Sequence, residues 1–524
     1  QINPDGHDNH VGAWSADVYY GDMDGNWTDA TINNTTASQA RNHNVPGDGK
    51  FDQSTVPSDV ELMVGRVDFH SLPAFDETEE ELLRVYLQKN HAFKHRQFVP
   101  VRRGLIENNF GSFAEAFGQN GLKNFVPAVG SDSTFYRDFH QLRENSYLLS
   151  YGCGGGNYTG AGGISNTNNF SNDSLQGVFT MLFGSYFGDW DSNNNFLRSA
   201  LATGTILSNA WAGRPNWSFH PMALGFSNGY CARLTQNNPG FSYVPGFGNR
   251  QIHIALLGDP TLRLFMVEPV GALSISENTG EVNLSWTAPQ EDVVGYHVYR
   301  KSFDDWERIT DAPVTATSYV DACQDMGSHQ YMVRALQLEQ TASGSYYQLS
   351  LGVTDSITTQ TDLSVTADFT ITDLNNGSLQ INDQSLGATS YEWSLSNGDS
   401  STDPNPFFED VLAGDLDITL VVSNGCNSDT LTKSLTITNT EDILTAPIVR
   451  VFPNPATDIL QLEHYFQQSN IRVELWSVDG RMLRTVHQPD AVSSWSVKDL
   501  PTGSYYLQWW DGNVLLVEQT VVKQ

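Results

Sequence analysis

Two glycine-rich loops in the first half of the chain hold the residues best suited to covalent chemistry. The first loop, 152–156, contains Cys153, and the second loop, 184–188, contains Ser185. Each loop follows an apolar run that predicts a buried strand, and neighbouring parallel strands bring the loops at their carboxyl ends together. The pattern therefore predicts a thiol beside a hydroxyl, and neither group is a general base with a pKa near neutrality.

A cysteine nucleophile requires a base, and His220 and His140 are candidates by residue type alone. The glycines around Cys153 leave backbone N–H groups that would lower the pKa of its thiol or bind an oxyanion. The same glycines are also what a tight reversal of the chain requires. The residues alone thus allow an inactive remnant, altered cysteine chemistry or a hydrolase that does not cleave peptides.

Aromatic residues and an arginine follow the second loop and form a candidate substrate pocket. These residues are Trp190, Trp211, Arg214 and Trp217. Large rings with a nearby cation suit a groove that binds a peptide or a glycan. The alternative is that the same side chains pack the irregular loops of the domain together.

Carboxylates are dense near the N terminus and predict a cation site. Asp22, Asp24 and Asn26 alternate around a glycine, and Asp48 and Asp52 follow about twenty residues later. Hard oxygen ligands spaced in this way suit Ca²⁺, although the glutamate that closes an EF-hand loop is missing. Calcium is therefore the predicted cofactor, no organic cofactor is expected, and an acidic solvated turn is the alternative.

The composition bounds the remaining choices. With 60 acidic and 28 basic residues the formal charge is -32, which argues against a nucleic-acid partner and favours solubility. No run of about 20 apolar residues occurs, so no membrane span is predicted. The cysteines Cys153, Cys231, Cys323 and Cys426 lie far apart without a CxxC pair, and each is predicted to be either buried and inert or chemically used.

At 524 residues the chain is long enough for three or four domains. Residues 1–268 have an α/β pattern, in which a buried strand at 58–67 precedes a helix with acids at its start and bases at its end. From 269 onward, short alternating runs broken by turn residues predict all-β sandwiches at 269–358, 359–440 and 441–524. The predicted fold class is multidomain, with one α/β domain and three all-β modules.

Two of the all-β modules resemble known extracellular sandwiches. The runs 282–286, 295–300 and 331–335 together resemble a fibronectin type III domain. In the next module, Trp393 lies between polar neighbours and is predicted to be a core anchor, and 397–399 is predicted to be a hairpin turn. Together they resemble a PKD domain, an immunoglobulin-like sandwich. Both resemblances imply spacers or weak adhesins for glycans and proteins.

The last module resembles the type A C-terminal sorting domain of the type IX secretion system of Bacteroidota. The resemblance rests on four segments, 451–458, 478–481, 500–506 and 521–523. It implies the secretion machinery as a partner and a location outside the cell or on the outer-membrane surface. A signal peptide is expected upstream, so Gln1 is expected to be a processed or truncated start.

Three segments of the first domain resemble the gingipain-type peptidases of family C25, which have a caspase-like fold. They are 20–25, 59–67 and 257–264, in the order that the family has them. The resemblance implies a catalytic histidine in the first glycine loop and a nucleophilic cysteine in the second, where this chain has Cys153 and Ser185. Family members also have about a hundred further N-terminal residues, which are expected either to have been removed or to be supplied by another chain. A sheet edge left exposed would favour pairing, including self-assembly.

These observations predict a secreted or cell-surface modular protein whose gingipain-like domain has lost the Cys-His pair and acts in binding or extracellular assembly. One alternative is an active cysteine endopeptidase that uses Cys153. Another is a structural subunit of an extracellular filament or sheath. The expected partners are the type IX machinery and a protein or glycan ligand.

Overall fold

The computed structural model describes residues 11–111, 117–211, 216–238, 250–374, 377–437, 449–466, 470–487 and 489–524. The chain divides into two compact units. The first comprises Gln1–Ser276, Asn283–Val320 and His329–Ile357, and the second comprises Glu277–Val282, Asp321–Ser328 and Thr358–Gln524. This division is coarser than the four predicted domains, whose boundaries stay a prediction.

All helices among the described residues lie in the first unit. The α-helices are α1 (Glu79–Lys94), α2 (Phe117–Val129), α3 (Thr167–Asn172), α4 (Phe196–Ala202) and α5 (Asn228–Gln236). Short 3-10 helices span Asp17–Gly21, Ala40–Asn42, Ser131–Ser133, Phe139–Arg143 and His220–Leu224. The strands that accompany them are β1 (Gly104–Asn108), β2 (Thr134–Tyr136), β3 (Tyr147–Cys153), β4 (Gly156–Asn157), β5 (Gly160–Ala161), β6 (Ser165–Asn166), β7 (Gly177–Phe183), β8 (Ser208–Trp211) and β9 (Ala255–Gly258).

A mixed sheet forms the centre of this region. Within the described residues it has six strands in the order β2-β1-β3-β7-β8-β9, all parallel except β9. Every residue of β3 and β7 is buried, which is why both read as continuous apolar runs. The strands predicted before the two glycine loops are confirmed, and α2 packs against β1 and β3.

Helix α1 confirms the predicted helix and begins where its sequence indicates. Thr78 Oγ1 accepts a hydrogen bond from Glu81 N at 3.3 Å, and Glu81 Oε2 accepts one from Thr78 N at 2.8 Å. This reciprocal capping box satisfies two backbone donors that the helix leaves free. Three glutamates lie in the first turn and Lys94 in the last, as the helix dipole favours.

The prediction of a buried strand at 58–67 is wrong. Most of the segment is exposed or half-buried, and within the described chain it makes one bridge to β9, where Arg66 N donates to Leu256 O at 3.0 Å. The Asn237 side chain bonds both backbone groups of Val60, at 2.7 and 2.9 Å, in place of a neighbouring strand. The apolar run therefore touches the sheet at Arg66 and does not form one of its strands.

The next strands pair into two sheets, and several of them have the alternating pattern of buried and exposed residues that the sequence predicted for a sandwich. They are β10 (Gly271–Asn278), β11 (Glu281–Thr287), β12 (Gly295–Ser302), β13 (Asp305–Arg308), β14 (Ser318–Asp321), β15 (Gly327–Thr341), β16 (Gly344–Leu349) and β17 (Val353–Thr359). The sheet orders among described strands are β10-β11-β14 and β13-β12-β15-β16, with β17 on β15. Alternate residues of β11, Val282, Leu284 and Trp286, are buried, as the period of two requires.

The second unit adds two further sheet pairs. The strands are β18 (Phe369–Asp373), β19 (Leu379–Asp383), β20 (Ser390–Leu395), β21 (Ser400–Ser401), β22 (Phe407–Phe408), β23 (Gly414–Ser423), β24 (Ser428–Ile437), β25 (Val449–Phe452), β26 (Ile459–His464), β27 (Ile471–Ser477), β28 (Met482–His487), β29 (Val492–Ser496), β30 (Gly503–Asp511) and β31 (Val514–Lys523). The described sheets run β18-β19-β22 and β21-β20-β23-β24, then β25-β26-β29 and β28-β27-β30-β31.

Each of these sheet pairs encloses its own apolar core. Trp393 is fully buried opposite Phe369, with ring centroids 5.0 Å apart, so the predicted core role of this tryptophan is confirmed. In the last module Leu475 and Trp509 are fully buried. The strand β25 lies at a sheet edge beside the prolines that follow it, as their missing N–H groups predict.

The predicted absence of cysteine pairing is wrong for two of the four cysteines. Cys323 and Cys426 form a disulfide within the second unit, across a sequence separation of 103 residues. Cys153 and Cys231 are free and buried. The spacing gave no sign of the bond because the fold brings distant turns together, which no local motif records.

Candidate functional site

The structure places the two predicted catalytic loops side by side. Cys153 and Phe183 are register partners in the parallel pair β3 and β7, and Gly154 N donates to Phe183 O at 3.1 Å. Gly156 lies directly on the Ser185 backbone, since a Cβ atom added at Gly156 would come within 2.4 Å of Ser185 N. Any side chain at position 156 would collide with the Ser185 backbone, so this close approach of the two loops requires glycine.

The Cys153 thiol is fully buried between its neighbouring strands. It donates to Asn108 Oδ1 at 3.3 Å and lies 3.6 Å from Glu107 O. Burial raises the pKa of this thiol to about 12, and the Tyr151 hydroxyl and the Asn109 N–H oppose the rise only in part. A thiol that donates its proton to acceptors in a closed site stays protonated, and the thiolate is the nucleophilic form.

The histidines considered as bases lie in the 3-10 helices His220–Leu224 and Phe139–Arg143. The backbone N–H of His220 donates to Asn124 Oδ1 of helix α2 at 3.1 Å, and burial together with the Lys123 charge lowers the pKa of its imidazole. His140 Nδ1 lies 2.9 Å from Asp138 Oδ1 at the surface. Within the described chain, no imidazole is among the hydrogen-bond partners of Cys153.

The tryptophans predicted to line a substrate pocket are core residues. Trp190, Trp211 and Trp217 are 3%, 1% and 0% exposed. Trp211 Nε1 donates to Gly184 O at 3.2 Å, and the Trp217 ring meets the Tyr151 ring edge to face at 5.7 Å. These contacts match the alternative that the sequence left open, in which the rings pack the loops together. Arg214 lies outside the described residues.

The predicted calcium ligands do not converge. Asp52 accepts backbone hydrogen bonds from Ala30, Thr31 and Ile32 at 2.8 to 3.1 Å. The bond from Ala30 N–H leads in lowering the pKa of its carboxyl group to about 2. Asp48 accepts from Lys50 Nζ at 2.9 Å. Both carboxylates therefore order their own loops.

The remaining predicted ligands are equally separate. The carboxylate of Asp22 is buried and accepts from Trp27 Nε1 at 3.1 Å and from Ser58 Oγ. Asp24 and Asn26 are exposed. In the part of the chain that the structure describes, no three His, Cys, Asp or Glu side chains are grouped as a metal site requires. Calcium stays a prediction from the sequence, without a cluster that supports it.

Sequence reasoning missed an open cleft in the first unit, beside the loop that follows β7. Its volume is about 370 Å³, within the range of small-ligand pockets. The described residues that line it include Trp14, Tyr19, Tyr20, Trp27, Phe51, Arg41, Asn42, Lys50, Gln53 and Asp191. The density of aromatic residues between 14 and 51 was the available signal, but only the fold brings Asp191 to them.

Two aspartates beside this cleft share an arginine. Arg41 Nη2 lies 2.6 Å from Asp189 Oδ2, and Arg41 Nε lies 3.2 Å from Asp191 Oδ2. Asn42 Nδ2 donates to Asp189 at 2.9 Å. Burial, with a hydrogen bond to Asp191, raises the pKa of the Asp189 carboxyl group to about 6. The pair therefore retains one proton in mildly acidic solution.

The fold and these sites define a multidomain protein with one α/β region and several β-sandwich modules. Residues 450–523 match the family described as the secretion system C-terminal sorting domain. This domain marks the chain for type IX secretion to the cell surface or the extracellular space, which confirms the prediction from the sequence. No helix among the described residues is long and apolar enough to cross a membrane.

Solved structures show distant likenesses. Dimeric latent PorU from Porphyromonas gingivalis is 11% identical, with 57% of this chain and 38% of that chain covered and a TM-score of 0.23. The chicken CNTN1 FN1-FN3 domains are 12% identical over 49% and 99% of the two chains, with a TM-score of 0.17. A two-domain fibronectin type III segment of chicken tenascin is 16% identical over 32% and 99%, with a TM-score of 0.16. These TM-scores are too low to support a conclusion about the fold or the activity of this chain. No curated protein matches the chain.

Proposed function

We propose that this type IX secreted protein carries a gingipain-like, caspase-type domain that binds or assembles outside the cell and does not cleave peptides. The observation that carries the proposal is the state of Cys153, which is fully buried and hydrogen-bonded to Asn108. Cysteine catalysis requires an accessible thiolate within reach of a base. The fibronectin type III-like and PKD-like modules then act as spacers that extend the domain from the sorting module.

The position of Ser185 supports the same proposal. Its loop lies against the glycines that follow Cys153, and the residue at the position expected for the histidine is the buried Cys153. A serine nucleophile needs an imidazole or an equivalent base to accept its proton. An active cysteine endopeptidase would require this closed edge to open and a histidine to enter it.

A protease assay on the full secreted protein tests the proposal. Fluorescently labelled casein and a mixture of quenched peptides are incubated with the protein under reducing conditions, with a Cys153→Ala variant as the matched control. The expected result is the same background rate for both proteins, since neither has an accessible thiolate. Hydrolysis that the Cys153→Ala substitution abolishes would overturn the proposal.

A further inference from the structure

The cleft of the first unit has one wall of aromatic rings that hold each other in place. Tyr19 stacks on Phe51 with ring centroids 4.7 Å apart, and Trp27 meets Tyr19 edge to face at 5.5 Å. Tyr20 extends this group, 5.4 Å from Tyr19, and is 63% exposed. Rings fixed by one another lose little conformational freedom when a ligand covers them. They form a preorganised apolar platform open to solvent.

The polar residues that line the cleft, its polar wall, are almost balanced in charge. Arg41 is paired with Asp189 and Asp191, and Lys50 is paired with Asp48 at 2.9 Å. Each cation therefore already has its counterion, so a strongly anionic ligand would have to compete with carboxylates. A strongly cationic ligand would meet two guanidinium or ammonium groups.

Hydrogen-bonding groups remain accessible in the polar wall. Gln53 and Asn42 are also among the lining residues, but Gln53 bonds Thr28 through both its amide oxygen and its amide nitrogen, and Asn42 Nδ2 donates to Asp189. The side chains of Arg41 and Asp191 are 36% and 49% exposed. This ion pair therefore offers both donors and acceptors to a neutral polar ligand.

We infer that this cleft is a binding site for neutral saccharides. A sugar ring has one apolar C–H face, which fits the aromatic platform, and hydroxyl groups around its edge, which donate to and accept from the polar wall. A peptide would have to leave many of its backbone groups unpaired against the rings, at a cost for each buried group. The balanced charge of the wall favours neutral sugars over acidic or basic ones.

This inference deepens the proposed binding function, since it names the ligand class and the site in the same domain. The two can still fail separately. A protein that binds sugar through the cleft but also cleaves casein through Cys153 would overturn the proposed function alone. A protein that does neither would overturn the saccharide site alone.

Calorimetric titration of the full protein tests the inference. The neutral probes are hexaoses of mannose and of glucose, with the glucose hexaose in both its α-linked and its β-linked form. A galacturonate hexamer and a glucosamine hexamer are the charged counterparts. A Tyr20→Ala variant removes the exposed ring of the platform. Tyr347, 64% exposed on β16 and outside the cleft, gives the matched control Tyr347→Ala. Thermal melts verify that both variants stay folded.

The expected result is saturable binding of at least one neutral hexaose that Tyr20→Ala weakens about tenfold, the equivalent of about 1.4 kcal/mol. Tyr347→Ala should leave that binding unchanged. The absence of binding by every neutral hexaose would overturn the inference. Equal binding by the Tyr20→Ala variant, or binding confined to the charged hexamers, would overturn it as well.

Discussion

Two neighbouring places in the first unit differ in what they expose, although both contain residues that suggest chemistry. The closed thiol loop, 152–156, has its cysteine inside the sheet and its Gly156 against the Ser185 backbone. The aromatic cleft has a volume of about 370 Å³, and Tyr20, one of its lining residues, is mostly exposed. The comparison teaches that a glycine-rich loop after a strand can close an edge as readily as it can open one. Exposed rings are the better guide to a binding surface.

The largest expected effect separates core tryptophans from cleft aromatics. Trp217→Ala should lower the free energy of unfolding of the first unit by about 3–5 kcal/mol, because the side chain is fully buried. Tyr20→Ala should change it by less than about 0.5 kcal/mol, because that ring is mostly exposed. Urea denaturation followed by fluorescence measures both. A Trp217→Ala protein as stable as the parent would return Trp217 to the list of candidate pocket residues.

Alkylation of the cysteines tests the closed thiol loop, because in that loop Cys153 is a free, buried thiol. Unfolding without reductant should expose two alkylatable cysteines, Cys153 and Cys231, and reduction should release Cys323 and Cys426. Peptide mapping by mass spectrometry identifies which cysteines are alkylated before and after reduction.

Loss of the disulfide in a Cys426→Ser variant should lower the free energy of unfolding of the second unit by about 2–5 kcal/mol. Four free thiols before reduction would contradict the pairing.

A smaller effect concerns pH at the cleft. The pKa of Asp189 rises from an ordinary 3.8 to about 6 on folding, mainly through burial. Between about pH 4 and pH 6 the folded state retains a proton that the unfolded state has lost, so the free energy of unfolding should fall as pH rises through this window.

An Asp189→Asn variant provides the control for that titration. It keeps an oxygen acceptor toward Arg41 and Asn42 but cannot ionise, so its stability should vary less between pH 4 and pH 6. Denaturant midpoints at several pH values measure the difference. A parent protein whose first unit becomes more stable across this window, with no change in the variant, would contradict a raised pKa.

Much of the fold is predictable from local pattern, and most of the site is not. The buried strands β3 and β7, helix α1 and the core position of Trp393 follow from periodicity, capping residues and turn chemistry. The prediction of a buried strand at 58–67 was wrong because an apolar sequence pattern looks the same in a segment that forms a strand of a sheet and in one that does not.

The site depended on contacts between distant parts of the chain. The Asp189 pair with Arg41 joins residues 148 positions apart, and the disulfide joins residues 103 apart. Residues so far apart in the sequence do not form a local motif from which the contact could be predicted. The burial of Trp211 and Trp217 also depends on how the strand ends pack, which residue type alone does not fix.

The rate of Cys153 alkylation tests the central claim most directly. A rise in its pKa to about 12 lowers the thiolate fraction at pH 8 by about a thousandfold, and burial removes access as well. Iodoacetamide labelling of the folded protein, followed by mass spectrometry of the peptide that contains Cys153, should therefore be at least about a thousandfold slower than in the urea-unfolded protein. Rapid labelling of Cys153 in the folded protein at pH 6 would show an accessible thiolate and contradict the account.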